Sequence, residues 1–151
     1  LGTNTTKYIS NTGLANVLPV ESAGDNSGNL AHWKGFLSES YATDAWSLTL
    51  FQRLISEGTL PRNWIQCTTA CPLPTVNNPT IDRTRVAGAF YLDVGGTYNV
   101  TSYSQLYFKV ENLTNLDPPM APSNSFFRNG SNPGLYDTIG RFYRIGIRIN
   151  G

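Results

Sequence analysis

Gly140-Arg-Phe-Tyr-Arg-Ile-Gly-Ile-Arg-Ile149, followed by Asn150 and Gly151, reads as a strand with two opposed faces. Successive side chains of an extended chain point to opposite sides. Tyr143, Ile145, Ile147 and Ile149 therefore share one side, and Arg144, Gly146, Arg148 and Asn150 the other. Such a strand separates an apolar medium from a polar one. In a soluble domain these are core and water; in a membrane barrel they are lipid and a wet lumen. This strand alone admits both.

The same alternation recurs upstream. From Ala87 to Val100, Phe90, Leu92, Val94, Gly96, Tyr98 and Val100 oppose Tyr91, Asp93, Gly95, Thr97 and Asn99. After a turn at Thr101-Ser-Tyr-Ser104, Leu106, Phe108 and Val110 oppose Gln105, Tyr107, Lys109 and Glu111, which predicts a hairpin with one apolar face. Trp33 to Tyr41 and Trp46 to Ile55 form a second hairpin across Ala42-Thr-Asp-Ala45. Its apolar side holds Trp33, Gly35, Leu37, Tyr41, Leu48, Leu50 and Leu54, with Glu39 the one charge among them. A further strand is expected from Tyr8 to about Val20, and the closing one from Ile139 to Asn150, making about six.

Connection lengths add direction. Ala42–Ala45 and Thr101–Ser104 are short, whereas residues 57–86 and 113–138 form connections of roughly 25 to 30 residues, far beyond hairpin loops. Long and short alternate, so the long loops gather at one end of the sheet. Barrels of the outer membrane share that asymmetry. Trp33, Tyr41, Trp46, Tyr98 and Tyr143 lie near strand ends, as an interfacial girdle or the core of a sandwich would place them.

Composition agrees with an all-β chain. Gly, Asn, Thr and Ser are abundant, Tyr leads the aromatics, and the residues of surface helices are scarce. Only 14% of residues are charged and the net charge is +1, which gives no electrostatic footprint for nucleic acid. No apolar run approaches the roughly 20 residues of a membrane helix. Cys67 and Cys71 sit in a Pro- and Thr-rich loop, without the further ligands a zinc site needs. A small disulfide-closed loop in an oxidising compartment is preferred over two free thiols.

Two stretches then become specific. "LYFKVENLTNLDPP" (Leu106 to Pro119) and "PGLYDTIGRFYRIGIRIN" (Pro133 to Asn150) closely resemble the C-terminal end of TonB-dependent outer-membrane receptors. That family commonly shows an N-L-x-N/D-x-x-P-P strand exit, a long loop, Y-D-x-x-G-R, and a final aromatic-rich strand. "HWKGFLSESY" with "WSLTLFQRLIS", and "PTIDRTRVAGAFYLDVGGTYNV", resemble the preceding strands in the same order. The similarity spans His32 to Asn150. One departure is Gly151, where the family usually ends in Phe.

The resemblance implies an antiparallel up-and-down transmembrane β-barrel of about 22 strands with a plugged lumen. Residues 1–151 would be its C-terminal fragment, without the plug domain, and 57–86 and 113–138 its external loops. It implies energy-coupled uptake of a scarce solute (an iron chelate, cobalamin or an oligosaccharide) across a bacterial outer membrane, with no chemistry, metal or cofactor. Partners would be outer-membrane lipid, the rest of the barrel and plug, an inner-membrane energy-coupling complex, and the solute. Tyr143, Ile145, Ile147 and Ile149 would carry the barrel-insertion signal. Leu1 is not an initiator Met, which fits a processed or fragmentary chain. The competing expectation is a self-contained small β-barrel or secreted β-sandwich with a binding or structural role.

Arg62, Trp64, Arg83 and Arg85 in one long loop, and Phe126, Phe127 and Arg128 in the other, are the candidate ligand contacts, because mixed aromatic and Arg content suits recognition. Simple packing of loops on loops is the alternative. Arg53, Asp93, Lys109, Glu111, Arg144 and Arg148 project to the polar face, where mutual neutralisation is preferred over a role in transport. His32, the sole histidine, reads as a surface residue, and no Ser-His-Asp set is singled out by spacing. The N-x-S/T matches at Asn4, Asn99, Asn112 and Asn129 follow from composition.

Overall fold

The structure, a computed structural model, describes residues 7–8, 20–76, 78–121 and 130–149. Five long strands carry it: β1 (Lys34–Ala42), β2 (Trp46–Ile55), β3 (Ala89–Thr101), β4 (Ser104–Glu111) and β5 (Phe142–Ile149). They form one sheet in chain order, each strand bonded to its neighbours in sequence. The result is an all-β, antiparallel up-and-down meander.

Register follows from the alternation. Leu106 lies between Tyr98 and Ile147, Phe108 between Gly96 and Ile145, and Val110 between Val94 and Tyr143. Between β2 and β3, Asn99 N donates to Ala45 O at 2.8 Å and the Ser47 and Thr97 hydroxyls meet at 2.7 Å. Those two rows sum to one constant, so this pair also runs antiparallel. At the β1–β2 turn the Thr43 hydroxyl accepts from Ala45 and Trp46 N–H at 3.3 and 3.1 Å. The Thr101 and Ser104 hydroxyls close the β3–β4 turn at 2.7 Å. Both short turns are thus held by their own hydroxyls, the local chemistry that turns favour.

Two boundaries differ from expectation. Lys7–Tyr8 pairs antiparallel with Val20–Glu21. The segment expected as one strand from Tyr8 to Val20 therefore has its ends side by side, which a single strand cannot achieve; the residues between lie outside those described. The closing strand starts at Phe142, not Ile139, because Gly140 has φ of 82° and Ile139 N is turned onto Asp137 Oδ1 at 3.0 Å. The sheet is not closed on itself: among the described residues β1 and β5 are its edges.

The chain divides into two compact units. One comprises Leu1–Lys34, Ile55–Gly88 and Pro119–Tyr136; the other comprises Gly35–Leu54, Ala89–Pro118 and Asp137–Gly151. The first holds the long connections, which are not structureless. Gly58–Thr59 pairs antiparallel with Arg85–Val86, and Ile65–Gln66 pairs parallel with Thr80–Ile81. Ala23, Leu60, Val86, Leu135 and Tyr136 are buried there. Two fully buried amides knit the loops. Asn26 Nδ2 donates to Ser56 O at 3.0 Å and Tyr136 Oη at 2.7 Å, and Asn132 Nδ2 donates to Asn26 O at 2.7 Å and Ser27 O at 3.1 Å. Each satisfies backbone carbonyls that would otherwise be buried without partners.

The second unit is the sheet without Lys34 and the buried Ile55, the outer ends of β1 and β2. Among its described apolar side chains only Ala89 and Tyr91 are buried. By itself the sheet has almost no core.

Candidate functional site

The two faces of the sheet are the site to be explained. On one, Leu37 and Tyr41 of β1, Trp46, Leu48 and Leu54 of β2, and Phe90, Tyr98 and Val100 of β3 are all exposed. Leu106 and Phe108 of β4 continue it, and Tyr143, Ile145, Ile147 and Ile149 of β5 complete it, with Ile145 at 83% exposure. Tyr41 and Trp46 pack with ring centroids 5.4 Å apart at the end that carries the short turns. Glu39, between Leu37 and Tyr41 on this side of β1, is exposed and is the face's one charge.

The opposite face is polar and cross-linked. Glu111 accepts from Lys109 Nζ at 2.7 Å and from Arg144 Nη2 at 2.8 Å, so one acid is shared by two of the cations placed here. Asp93 Oδ1 accepts from Asn112 N at 2.8 Å. Arg53 lies over the Tyr91 ring, 4.8 Å from its centroid. Gln105 Nε2 donates to Asn99 Oδ1 at 2.8 Å, and Asn99 Nδ2 to Asp44 O at 2.7 Å. Phe36 and Phe51 stack at 6.1 Å amid hydroxyls such as the Ser40–Thr49 pair at 3.0 Å.

Glycines adjust both faces. A Cβ on Gly96 would fall 2.7 Å from Phe108 Cε1 and 2.7 Å from Ser47 O, so the Phe108 ring lies over bare backbone. On the polar face the Tyr107 ring covers Gly146 in the same way. Aromatic rings thereby fill the gaps that strand glycines leave.

The loop candidates serve separate points. Arg85 pairs with Glu57, its Nε donating at 3.2 Å, and that carboxylate's hydrogen bond and charge raise the guanidinium above its already high pKa. Arg62 Nη2 reaches Ala23 O at 3.5 Å. Trp64 is half-buried, with Nε1 enclosed and without a hydrogen bond. Arg83 is exposed. Phe126, Phe127 and Arg128 lie outside the described residues. Sequence reading did not single out Asn26 and Asn132, which organise this unit, because buried Asn and turn-forming Asn look alike in sequence.

Cys67 and Cys71 are joined by a disulfide, with Cα atoms 5.5 Å apart and Ala70 at φ 51° in the ring. Cys67 N donates to Ile81 O at 2.9 Å, tying the ring to the 65–66/80–81 ladder. A loop this short should gain about 2 kcal/mol from the cross-link on the chain-entropy argument. Replacing both cysteines by serine is expected to speed amide exchange at Ile65 and at residue 67 by about thirtyfold, with exchange in β3 and β4 unchanged.

No protein-family model, no curated protein and no solved structure matches this chain.

Proposed function

We propose that this chain supplies C-terminal wall strands to the β-barrel of a TonB-dependent outer-membrane receptor, a transporter that draws a scarce solute into the cell without altering it. The observation that carries the reading is the uncovered apolar face, which runs across all five strands while the opposite face carries the charges of the sheet other than Glu39. Monomeric soluble proteins rarely leave contiguous apolar surface beyond a few hundred Å². Lipid is the medium that would cover such a face without a partner protein.

Other features support it. The five strands hold 8 to 13 residues, and about 9 to 11 tilted residues cross the apolar layer. Every connection at one end is short and those at the other are long, the asymmetry of outer-membrane barrels. The open edges at β1 and β5 demand further strands, since each unpaired backbone group in lipid costs several kcal/mol. A barrel of about 22 strands would provide them. The external loops would then hold Arg62, Trp64, Arg83 and Arg85, and the solute, whether an iron chelate, cobalamin or an oligosaccharide, would pass on the polar side.

The test is site-directed spin labelling of the full-length protein in outer-membrane vesicles, without reduction of the disulfide. Labels at Leu48 and Leu106 should collide with oxygen and be shielded from a water-soluble nickel chelate. Labels at Thr49 and Gln105 should show the reverse. Equal access of the nickel chelate to all four would overturn the proposal. Shielding of the apolar pair from both reagents would indicate a covering protein sheet and also count against it.

A further inference from the structure

Gly95 and Gly96 are adjacent in β3, yet only one is explained by packing. Gly96 is required, because a Cβ there would meet both Phe108 and the backbone oxygen of Ser47. At Gly95 an added Cβ would find nothing nearer than Phe108 O at 3.6 Å and Lys109 Cγ at 3.7 Å, which is ordinary contact. Nor does its backbone need glycine, since it is not among the positive-φ residues. A glycine inside a strand often marks a bulge, a tight bend, or a place where a ligand or another backbone approaches closely; the β3–β4 register passes Gly95 without a bulge.

Gly95 and Gly96 line a shallow, open hollow of about 350 Å³ on the sheet. Phe51 and Tyr107 contribute aromatic side chains, and Arg148, Thr49 and Thr97 also line it; the two threonine hydroxyls are bonded to Ser40 and Ser47. That volume lies at the lower end for small-molecule sites, which combine apolar walls with a few polar groups. The charges are distributed unevenly. Arg148 sits across from Gln105, which sits across from Asn99, while Asp93 is six residues along β3 from Asn99. Arg148 and Asp93 therefore lie at opposite ends, with Lys109 between them, across from Gly95. Asp93 accepts the Asn112 N–H, and Lys109 is paired with Glu111. Arg148 contacts only the neutral Gln105 Oε1, at 3.5 Å, beyond a good hydrogen bond. It is a guanidinium with no acid partner among the described residues, lining a hollow with aromatic side chains.

We propose that this hollow binds a small aromatic or apolar carboxylate, its anionic head on Arg148 and its body between Phe51 and Tyr107 over the Gly95 backbone. Charge complementarity selects the head, since a guanidinium takes a carboxylate bidentately. The rings select the body. This site goes beyond the barrel reading and does not depend on it.

The test uses 2-naphthoate, a fluorescent carboxylate, and neutral 2-naphthalenemethanol, titrated into the full-length protein in detergent. Naphthoate should bind at least about tenfold more tightly than the alcohol, the scale of one charge-assisted contact. Gly95→Leu, which fills the hollow without a steric obstacle at its Cβ, should abolish binding. Arg148→Gln should weaken naphthoate about tenfold and leave the alcohol unchanged. Equal affinity for acid and alcohol, or undiminished binding by a folded Gly95→Leu variant, would overturn the proposal. Folding of both variants is checked by the far-ultraviolet spectrum and by amide exchange in β3. Naphthoate binding in a protein whose Leu106 label is open to water would keep this site and remove the barrel. A lipid-facing Leu106 without naphthoate binding would do the opposite.

Discussion

Replacing Gly58 by alanine is expected to destabilise the loop-rich unit by about 3 kcal/mol, the upper range for forcing one extra group into a packed site. A Cβ at Gly58 would strike Asn26 Oδ1 and the carbonyl oxygen of Gly24. Neither can retreat cheaply. Gly24 O accepts Thr59 N–H at 2.7 Å, and Asn26, fully buried, has its Nδ2 committed to Ser56 O and Tyr136 Oη. The backbone at Gly58 is not in the left-handed region, so the effect is one of space and not of conformational freedom. Exchange of the Thr59 amide should accelerate about a hundredfold. Gly95→Ala is the control, since its Cβ meets only ordinary contacts, and it should leave exchange in β3 unchanged. Unaltered exchange at Thr59 in Gly58→Ala would mean that the Asn26 network does not hold this unit together.

The contrast between these glycines shows what a sequence can reveal here. Strand faces were legible because alternation is a local property: the sides assigned to Leu106, Phe108 and Val110 against Tyr107 and Lys109 are those the register displays. The exit from β4 was legible too, since Asn tolerates the left-handed region and bonds its own loop. Asn112 and Asn115 have φ of 50° and 52°, Asn112 exchanges hydrogen bonds with Leu116 at 2.9 and 3.0 Å, and Asn115 Oδ1 receives Arg141 N–H at 3.1 Å. The loop unit was not legible. Its bonds join Asn26 to Tyr136 and Asn132 to Ser27, more than a hundred residues apart, and no periodicity announces such a pair. The Tyr8 to Val20 segment failed as one strand because weak alternation broken by Gly13 and ended by Pro19 carries little register information. Gly95 and Gly96 are indistinguishable as letters; only the neighbours across the sheet separate a packing glycine from an open one.

A charge on the apolar face gives the sharpest separation of lipid from water. Ile145 lies opposite Phe108, midway along β5, and is 83% exposed, so nothing among the described residues penalises an arginine there. In water Ile145→Arg should be neutral in stability and should reduce aggregation, because an exposed isoleucine in an apolar patch is itself a liability. In a bilayer the same change should cost about 2 to 4 kcal/mol near the midplane, falling towards the interfaces. Ile145 also belongs to the strand proposed to direct insertion, so a loss there could arise from failed assembly. Leu48→Arg on β2 removes that ambiguity, since it sits on the same face but in another strand. Each variant of the full-length protein would be refolded into vesicles and unfolded with guanidinium, and the two losses should add in the double variant if the sites are independent. Penalties at both positions in vesicles, with none in detergent-free soluble protein, are the signature of a lipid-facing sheet. Two neutral outcomes in vesicles would leave the apolar face without lipid as its cover and return the chain to the class of soluble β domains.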